Sequence, residues 1–411
     1  VRDDLTHNYF YNNLDGALFG LGIGFATFSA VIPLFVNELT SSQTLIGLVP
    51  AVHNVTYSAP QLFTAAWVAR QKYLKPWVMW ITTQERLPFL LMGVLALFHA
   101  QLGVPLTLAL AFVLLTWQGL GAGFTSNFWQ SFIAKIFPPN KRGTFLGMQA
   151  AIANLTIAGG SIISGQVLER VAFPYNFAIC FGIAFFWLMT SLWALGQVRE
   201  KVSIPVQTEH SETPLLQNIG RIWRKDANFR LFLVVRSLAQ FASMGFAFYT
   251  IYAVRHFQIT AGAAGILGAA LATSQIIGNA TLGWLGDRIG NRKILVGGGI
   301  TAIVSILVAM LAPNYPLFVM AVVLAGITNV TLWTITMTMT MQFGGESERP
   351  MYIGMANTLT APATIVAPVF GGWLADISGF PLTYGMSIAA GIVMVILLLS
   401  LREPKHASTI V

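Results

Sequence analysis

Twelve apolar runs, each near or above 20 residues, recur along this chain, and a run of that length crosses a bilayer as a helix. They fall near 9–36, 43–69, 76–98, 105–136, 142–168, 174–197, 229–255, 260–286, 292–312, 315–343, 350–375 and 381–401. In lipid every backbone N–H and C=O must find a partner within the protein, so such runs are helices. Only 9% of residues are charged, against about 25% in a soluble globular protein. So few charges do not cover a water-facing surface. The class is therefore an all-α integral membrane protein, and the lipid bilayer is its first partner.

The net charge of +8 does not point to nucleic acid, because the basic residues are spread along the chain. With the N-terminus placed in the cytoplasm, nineteen of the 23 Lys and Arg fall on the inner side. Arg170 and Arg255 fall outside, while Arg86 and Arg236 lie within spans. That asymmetry orients both termini inward in a multi-pass plasma (inner) membrane protein. The N-terminal VRDDLTHNYF lacks the order of a cleavable signal. Cys180 is the sole cysteine, so no intrachain disulfide forms.

Most connections are short. The exception is 198–228, polar with two prolines in its middle, then LLQNIGRIWRK, which suits an amphipathic surface helix. It divides the chain into a six-span stretch, 1–197, and a second, 229–411. The two stretches repeat. Gly24-Phe25-Ala26 matches Gly245-Phe246-Ala247 at an offset of 221, which also sets Asp15 on Arg236. Arg142-Gly143 and Gly147 match Arg349-Pro350 and Gly354 at an offset of 207.

The segment after the eighth span reads Gly283-Trp-Leu-Gly-Asp287-Arg288-Ile-Gly290-Asn-Arg292-Lys293. With Ala367-Pro368 and Gly371-Gly372-Trp-Leu-Ala-Asp376, this loop resembles the major facilitator superfamily, and the resemblance covers nearly the whole chain. It implies two pseudo-symmetric six-helix bundles, with spans 1, 4, 7 and 10 lining a cavity and spans 3, 6, 9 and 12 outside. It also implies that Asp287 is a conformational latch meeting the start of the fifth span, where Arg142, Lys141 and the Gly143 and Thr144 amides are candidates. Asp287 sits at a helix C-terminus, where the macrodipole disfavours an anion. Arg288, Arg292 and Lys293 read equally as latch residues or as positive-inside anchors. Aligning Gly47 with Gly265 puts Ala69 at the place of Asp287 and Arg70 at that of Arg288. Glu346 and Glu348 then suggest a reversed latch, or simply acids at a helix start.

Ionisable residues inside a span are functional candidates by default. Here they are Asp15, His53, Glu85, Arg86 and Arg236, read as proton-coupling or gating groups. Asp15 and Arg236 form a candidate gate pair, with solvation at a cavity mouth as the alternative. Candidate cavity residues are Phe25 and Phe28 in span 1, and Trp117, Asn127, Trp129 and Gln130 in span 4. Span 7 adds Arg236, Gln240, Tyr249 and Tyr252, and span 10 adds Asn329 and Trp333. Aromatic walls with a few amides suit a small-molecule site, though Trp and Tyr also anchor spans at the interface. Glu85 and Arg86 lie side by side in the third span, roughly 15 Å deep at 1.5 Å per residue. Neighbouring residues point about 100° apart, so their partners come from other helices. A polar clamp within the first half is the favoured reading, and the Gln84 carbonyl, freed by Pro88, is a candidate acceptor for Arg86.

The resemblance implies a secondary active transporter of a small organic solute, monomeric, working by alternating access, with protons as the candidate coupling ion. An exporter of amphipathic compounds and an uptake carrier for an anionic or polar metabolite both fit. A non-transporting receptor or scaffold on the same fold is the alternative. No Walker loop, zinc motif or serine elbow is present, so no enzyme activity, metal or cofactor is expected.

Overall fold

The computed structural model describes residues 2–28, 30–40, 42–200, 215–258, 261–345 and 347–404. Glu346 and the middle of the linker, 201–214, lie outside the described residues, as does any latch contact of Glu346. The described residues are helical with no strand. In chain order the helices are α1 (Arg2–Gly24), α2 (Val31–Leu39), α3 (Gln43–Ser58), α4 (Gln61–Ala69), α5 (Lys75–Leu97), α6 (His99–Leu102) and α7 (Val104–Ile136). Then come α8 (Arg142–Arg170), α9 (Tyr175–Gly196), α10 (Leu215–Lys225), α11 (Ala227–Ser243) and α12 (Tyr249–Phe257). The series ends with α13 (Ala261–Ile289), α14 (Asn291–Leu311), α15 (Tyr315–Val330), α16 (Thr336–Thr340), α17 (Arg349–Ser378) and α18 (Phe380–Ser400).

Among the described residues nine helical stretches are long and apolar enough to cross a membrane, and they match the fourth to twelfth predicted spans. The first three differ for physical reasons. The first is interrupted after Gly24, the second is divided at Ala59-Pro60, and the third carries Glu85 and Arg86.

The helices pack into two compact units. Unit 1 holds Val1–Phe137, Ile152–Ser211 and Glu346–Gly354; unit 2 holds Pro138–Ala151, Glu212–Gly345 and Met355–Val411. Each unit thus takes one short segment from the other stretch of sequence, the start of α8 in unit 2 and the start of α17 in unit 1. Internal packing follows the same plan twice. In unit 1, α1 packs on α9, α3 on α7, and α5 on both α7 and α9. In unit 2, α11 packs on α18, α13 on α15, and α14 on both α15 and α18.

The glycine stripe of α1 is a packing device. A Cβ on Gly20 would lie 2.5 Å from the Ala153 carbonyl oxygen, and one on Gly24 would lie 2.6 Å from that of Ile157, so α1 lies directly on α8. Small residues at such crossings let backbones approach, which is how helices associate where no hydrophobic drive exists.

Candidate functional site

The repeated Gly-Phe-Ala marks a break in each half. After Gly24, Phe25 and Ala26 bond back to the Gly22 and Ile23 carbonyls, a tighter turn than the α-helix, and α2 restarts at Val31. The Val31 amide donates to Thr27 Oγ1 at 3.0 Å. Ser161 and Ser164 of α8 donate to the Gly24 carbonyl at 3.3 and 3.2 Å. In unit 2, α11 passes into a 3-10 turn, Met244–Phe248, before α12, and the Gly245 amide donates to Ser387 Oγ of α18 at 3.2 Å. Interrupted backbone at membrane depth persists where side chains of neighbouring helices satisfy it, and serines serve that purpose in both units.

The third-span charges belong to a buried group in unit 1. Asp15, Glu85 and Arg86 are 6%, 6% and 2% exposed. Arg86 Nη1 donates to the Leu188 carbonyl of α9, and Nη2 to Ser191 Oγ at 3.3 Å. Ser191 in turn donates to Asp15 Oδ1 at 2.5 Å. The guanidinium is therefore linked to the α1 carboxylate through a serine hydroxyl. Its carbonyl acceptor is that of Leu188 on another helix, and α5 runs unbroken through Pro88, so the expected Gln84 carbonyl is not used. Glu85 packs against α7, where a Cβ on Gly121 would lie 3.0 Å from the Glu85 Cα.

Other candidates fall into two sets. Phe25, Asn127, Gln130 and Tyr249 are buried. Asn127 donates to the Gln61 carbonyl and to Thr64, Gln130 to Ser126, and the Tyr249 hydroxyl meets Ser305 at 2.8 Å. Tyr252, half-buried, stacks on Phe318 in the same aromatic cluster. Phe28, Trp117, Trp129, Gln240 and Asn329 are half-buried, while Trp333 is 64% exposed. Trp333 sits in a π turn, Thr331–Ile335, between α15 and α16. His53 stacks on Phe28 with centroids 3.8 Å apart, and its Nδ1 meets Gln118 Oε1 at 2.9 Å. Arg236 donates to Thr340 and Asn357 of unit 2, as Asp15 accepts from Ser191 of unit 1.

Asp287 caps the start of α8 within unit 2. Its Oδ1 accepts the Gly143 amide at 2.9 Å, and its Oδ2 accepts the Thr144 amide at 2.6 Å and the Thr144 hydroxyl at 2.7 Å. A carboxylate at a helix N-terminus meets both free N–H donors and the positive end of the dipole. Gly283 lets the helices touch, since a Cβ there would lie 2.2 Å from the Gly143 carbonyl oxygen. Arg142 is buried and reaches the Met341 carbonyl at 3.5 Å. Arg288 lies over the Trp284 ring at 3.9 Å. Arg292 donates to the Leu398 and Leu399 carbonyls at the end of α18, and Lys293 is exposed. Gly290, at φ +97°, begins α14.

A further paired element went unread in the sequence. The Asn8 side chain exchanges two hydrogen bonds of 2.8 Å with the backbone of Arg199, and Asn228 does the same with Arg402. The next residues, Glu200 and Glu403, then cap helix starts. Glu200 accepts the Leu74 and Lys75 amides at 2.8 and 2.9 Å, and Glu403 accepts those of Asn291 and Arg292 at 2.7 and 2.9 Å. The available signal was Val198-Arg-Glu against Leu401-Arg-Glu, at an offset of 203.

The model of the Major Facilitator Superfamily matches residues 14–255 and 232–410. The tetracycline resistance protein, class H, of Pasteurella multocida is 27% identical over 147 residues, 36% of this chain and 36% of that protein. An uncharacterized MFS-type transporter of Schizosaccharomyces pombe is 25% identical over 146 residues, 34% of this chain and 33% of that one. The alignments thus span about a third of each curated relative. Among solved structures, the fucose:proton symporter of E. coli superposes with TM-score 0.78 at 13% identity, covering 97% of this chain and 99% of that one. A bacterial homologue of the iron transporter ferroportin gives 0.75 at 14% identity, covering 95% and 98%. The proton:xylose symporter gives 0.74 at 12%, covering 98% and 97%. At these identities the superpositions speak to fold alone. With the family model matched over nearly the whole length and the fold shared with its solved members, the chain belongs to the major facilitator superfamily.

Proposed function

We propose that the chain moves a small organic solute across the plasma (inner) membrane by alternating access, coupled to protons, with both termini in the cytoplasm. The observation that carries this reading is the pair of helix breaks at Gly24-Phe25-Ala26 and Met244–Phe248. Interrupted helices at matching places of two repeats are where transporters bind and release solute. A rigid receptor or scaffold has no need of them. Half-buried Phe28, Trp117 and Trp129 in unit 1, and half-buried Gln240 and Asn329 with exposed Trp333 in unit 2, are the solute-facing candidates. Orientation rests on the excess of Lys and Arg on one side of the spans. The Asp287 cap is the proposed latch. Its bonds to Gly143 and Thr144 tie the start of the fifth span to the end of the eighth, and they are made or broken as the conformation changes.

The buried Asp15, Glu85 and Arg86 supply the candidate proton site, because burial makes their net charge costly and protonation changes it. The test is an uptake screen in proteoliposomes, with and without an imposed pH gradient, repeated with Asp15→Asn. At least one solute should accumulate in a gradient-dependent way, and the variant should lose that dependence. Uptake indifferent to the gradient for every transported solute would remove proton coupling. No uptake or efflux of any solute would favour the receptor reading.

A further inference from the structure

The charged group of unit 1 does not balance. It contains two carboxylates, Asp15 and Glu85, and one guanidinium, Arg86, all at least nine-tenths buried. A net charge held away from water is costly. With one proton bound the group is neutral. The structure also distinguishes the two acids. Asp15 accepts the Ser191 hydroxyl at 2.5 Å, and Ser191 is itself held by Arg86. That arrangement suits an ionised carboxylate. Glu85 has no hydrogen bond to Arg86 among the described residues; it faces the Thr125 hydroxyl of α7 and packs against the bare face of Gly121. A buried carboxylate with a single hydroxyl beside it bears most of the desolvation penalty, whereas a neutral carboxyl, which can itself donate to that hydroxyl, bears far less.

Arg86 Nε is buried without a hydrogen-bond partner. Around Glu85, α1 presents Asp15, α7 presents Thr125 and Gly121, α9 presents Ser191 and the Leu188 carbonyl, and α5 itself presents Arg86. Asp15 and Arg86 are thus the charged groups acting on it.

We propose that Glu85 is the residue that takes up and releases the proton, while Asp15 stays ionised as the fixed counter-charge of Arg86. This inference rests on the proton-coupled reading above and assigns the site within it. The step is a simple exchange: the Glu85 carboxylate accepts a proton arriving from water, becomes a neutral carboxyl, and returns the proton to water on the other side of the cycle. The Thr125 hydroxyl serves both states, donating to the ionised carboxylate and accepting from the neutral carboxyl.

The assignment is testable without knowing the solute. Infrared difference spectra of the purified protein in lipid vesicles, recorded as pH is stepped, detect the carbonyl stretch of a protonated carboxyl. Wild type should show one such band from the buried group, shifted by isotope-labelled glutamate and not by isotope-labelled aspartate. Glu85→Gln should lose the band. Asp15→Asn should lose it too, because Arg86 then faces a single acid and needs no proton. A band that survives Glu85→Gln unchanged, one that follows labelled aspartate, or no titrating band at all would overturn the assignment. Should Glu85→Gln fail to fold, the labelling of wild type decides alone. Gradient-driven uptake without a glutamate band removes this assignment and leaves transport standing, whereas a glutamate band without uptake does the reverse.

Discussion

The start of α8 against α13, and the start of α17 against α4, are the same junction built twice. At the first, Gly147 lies so close that a Cβ would sit 2.1 Å from the Asn279 carbonyl oxygen. At the second, a Cβ on Gly354 would sit 2.7 Å from the Gln61 carbonyl oxygen. Gln61 and Asn279 differ by 218 positions, the same offset that sets Ala69 on Asp287. Close packing is therefore retained in both copies. The polar cap is not. Where Asp287 accepts three hydrogen bonds, Ala69 offers no acceptor. The donors have gone with it. Pro350 stands for Gly143 and has no N–H, Met351 stands for Thr144 and has no hydroxyl, and the Met351 amide donates to the Glu348 carbonyl. Acceptor and donors are absent from the second junction together, so close packing and the carboxylate cap are separable parts of the junction. The caps by Glu200 and Glu403, by contrast, survive in both units.

The largest expected effect lies where the two glutamate caps differ. Glu200 also pairs with Lys135 at 2.6 Å, with side chains 4% and 8% exposed, whereas Glu403 has no ion pair among the described residues. Glu200→Gln takes away the buried counter-charge of the Lys135 ammonium, which keeps only the Lys72 carbonyl, and should cost about 3–5 kcal/mol, read as a fall in apparent Tm of the purified protein. Next comes Asp287→Ala, which removes three bonds to a charged acceptor and should cost about 2–4 kcal/mol. The glycine junctions test the shared part. Gly147→Ala and Gly354→Ala should each destabilise by about 1–3 kcal/mol through overpacking, with Gly147 the worse. Glu403→Gln should cost about 1 kcal/mol as a capping loss. Smallest is Ala69→Asp, within about 0.5 kcal/mol of wild type, because Pro350 has no N–H and the Met351 amide is already bonded to the Glu348 carbonyl. A clear gain in Tm from Ala69→Asp would mean that the second junction kept its donors after all.

The same contrast explains what was legible in the sequence. Apolar runs report spans directly, and the Asp287 loop and its α8 partner were readable because the glycines and the acid sit in one short segment. The interruptions were harder. Gly-Phe-Ala was visible as a repeat, but that it ends a helix depends on Ser161, Ser164 and Ser387 from other helices. The link from Arg86 through Ser191 to Asp15 joins residues more than 100 positions apart, and an ordinary serine in an apolar run gives no sign of it. The Asn8 and Asn228 clamps bind backbone groups, whose identity the sequence does not display.

Asp287 caps the start of α8, whereas Ala69, at the equivalent position, puts no carboxylate on the start of α17. Hydrogen exchange measured on peptides covering 138–151 and 346–354, in wild type and Asp287→Asn, tests this difference most directly. Exchange should rise at the Gly143 and Thr144 amides in the variant and stay unchanged in 346–354. An equal rise in both segments, or no rise at Gly143 and Thr144, would contradict a one-sided cap.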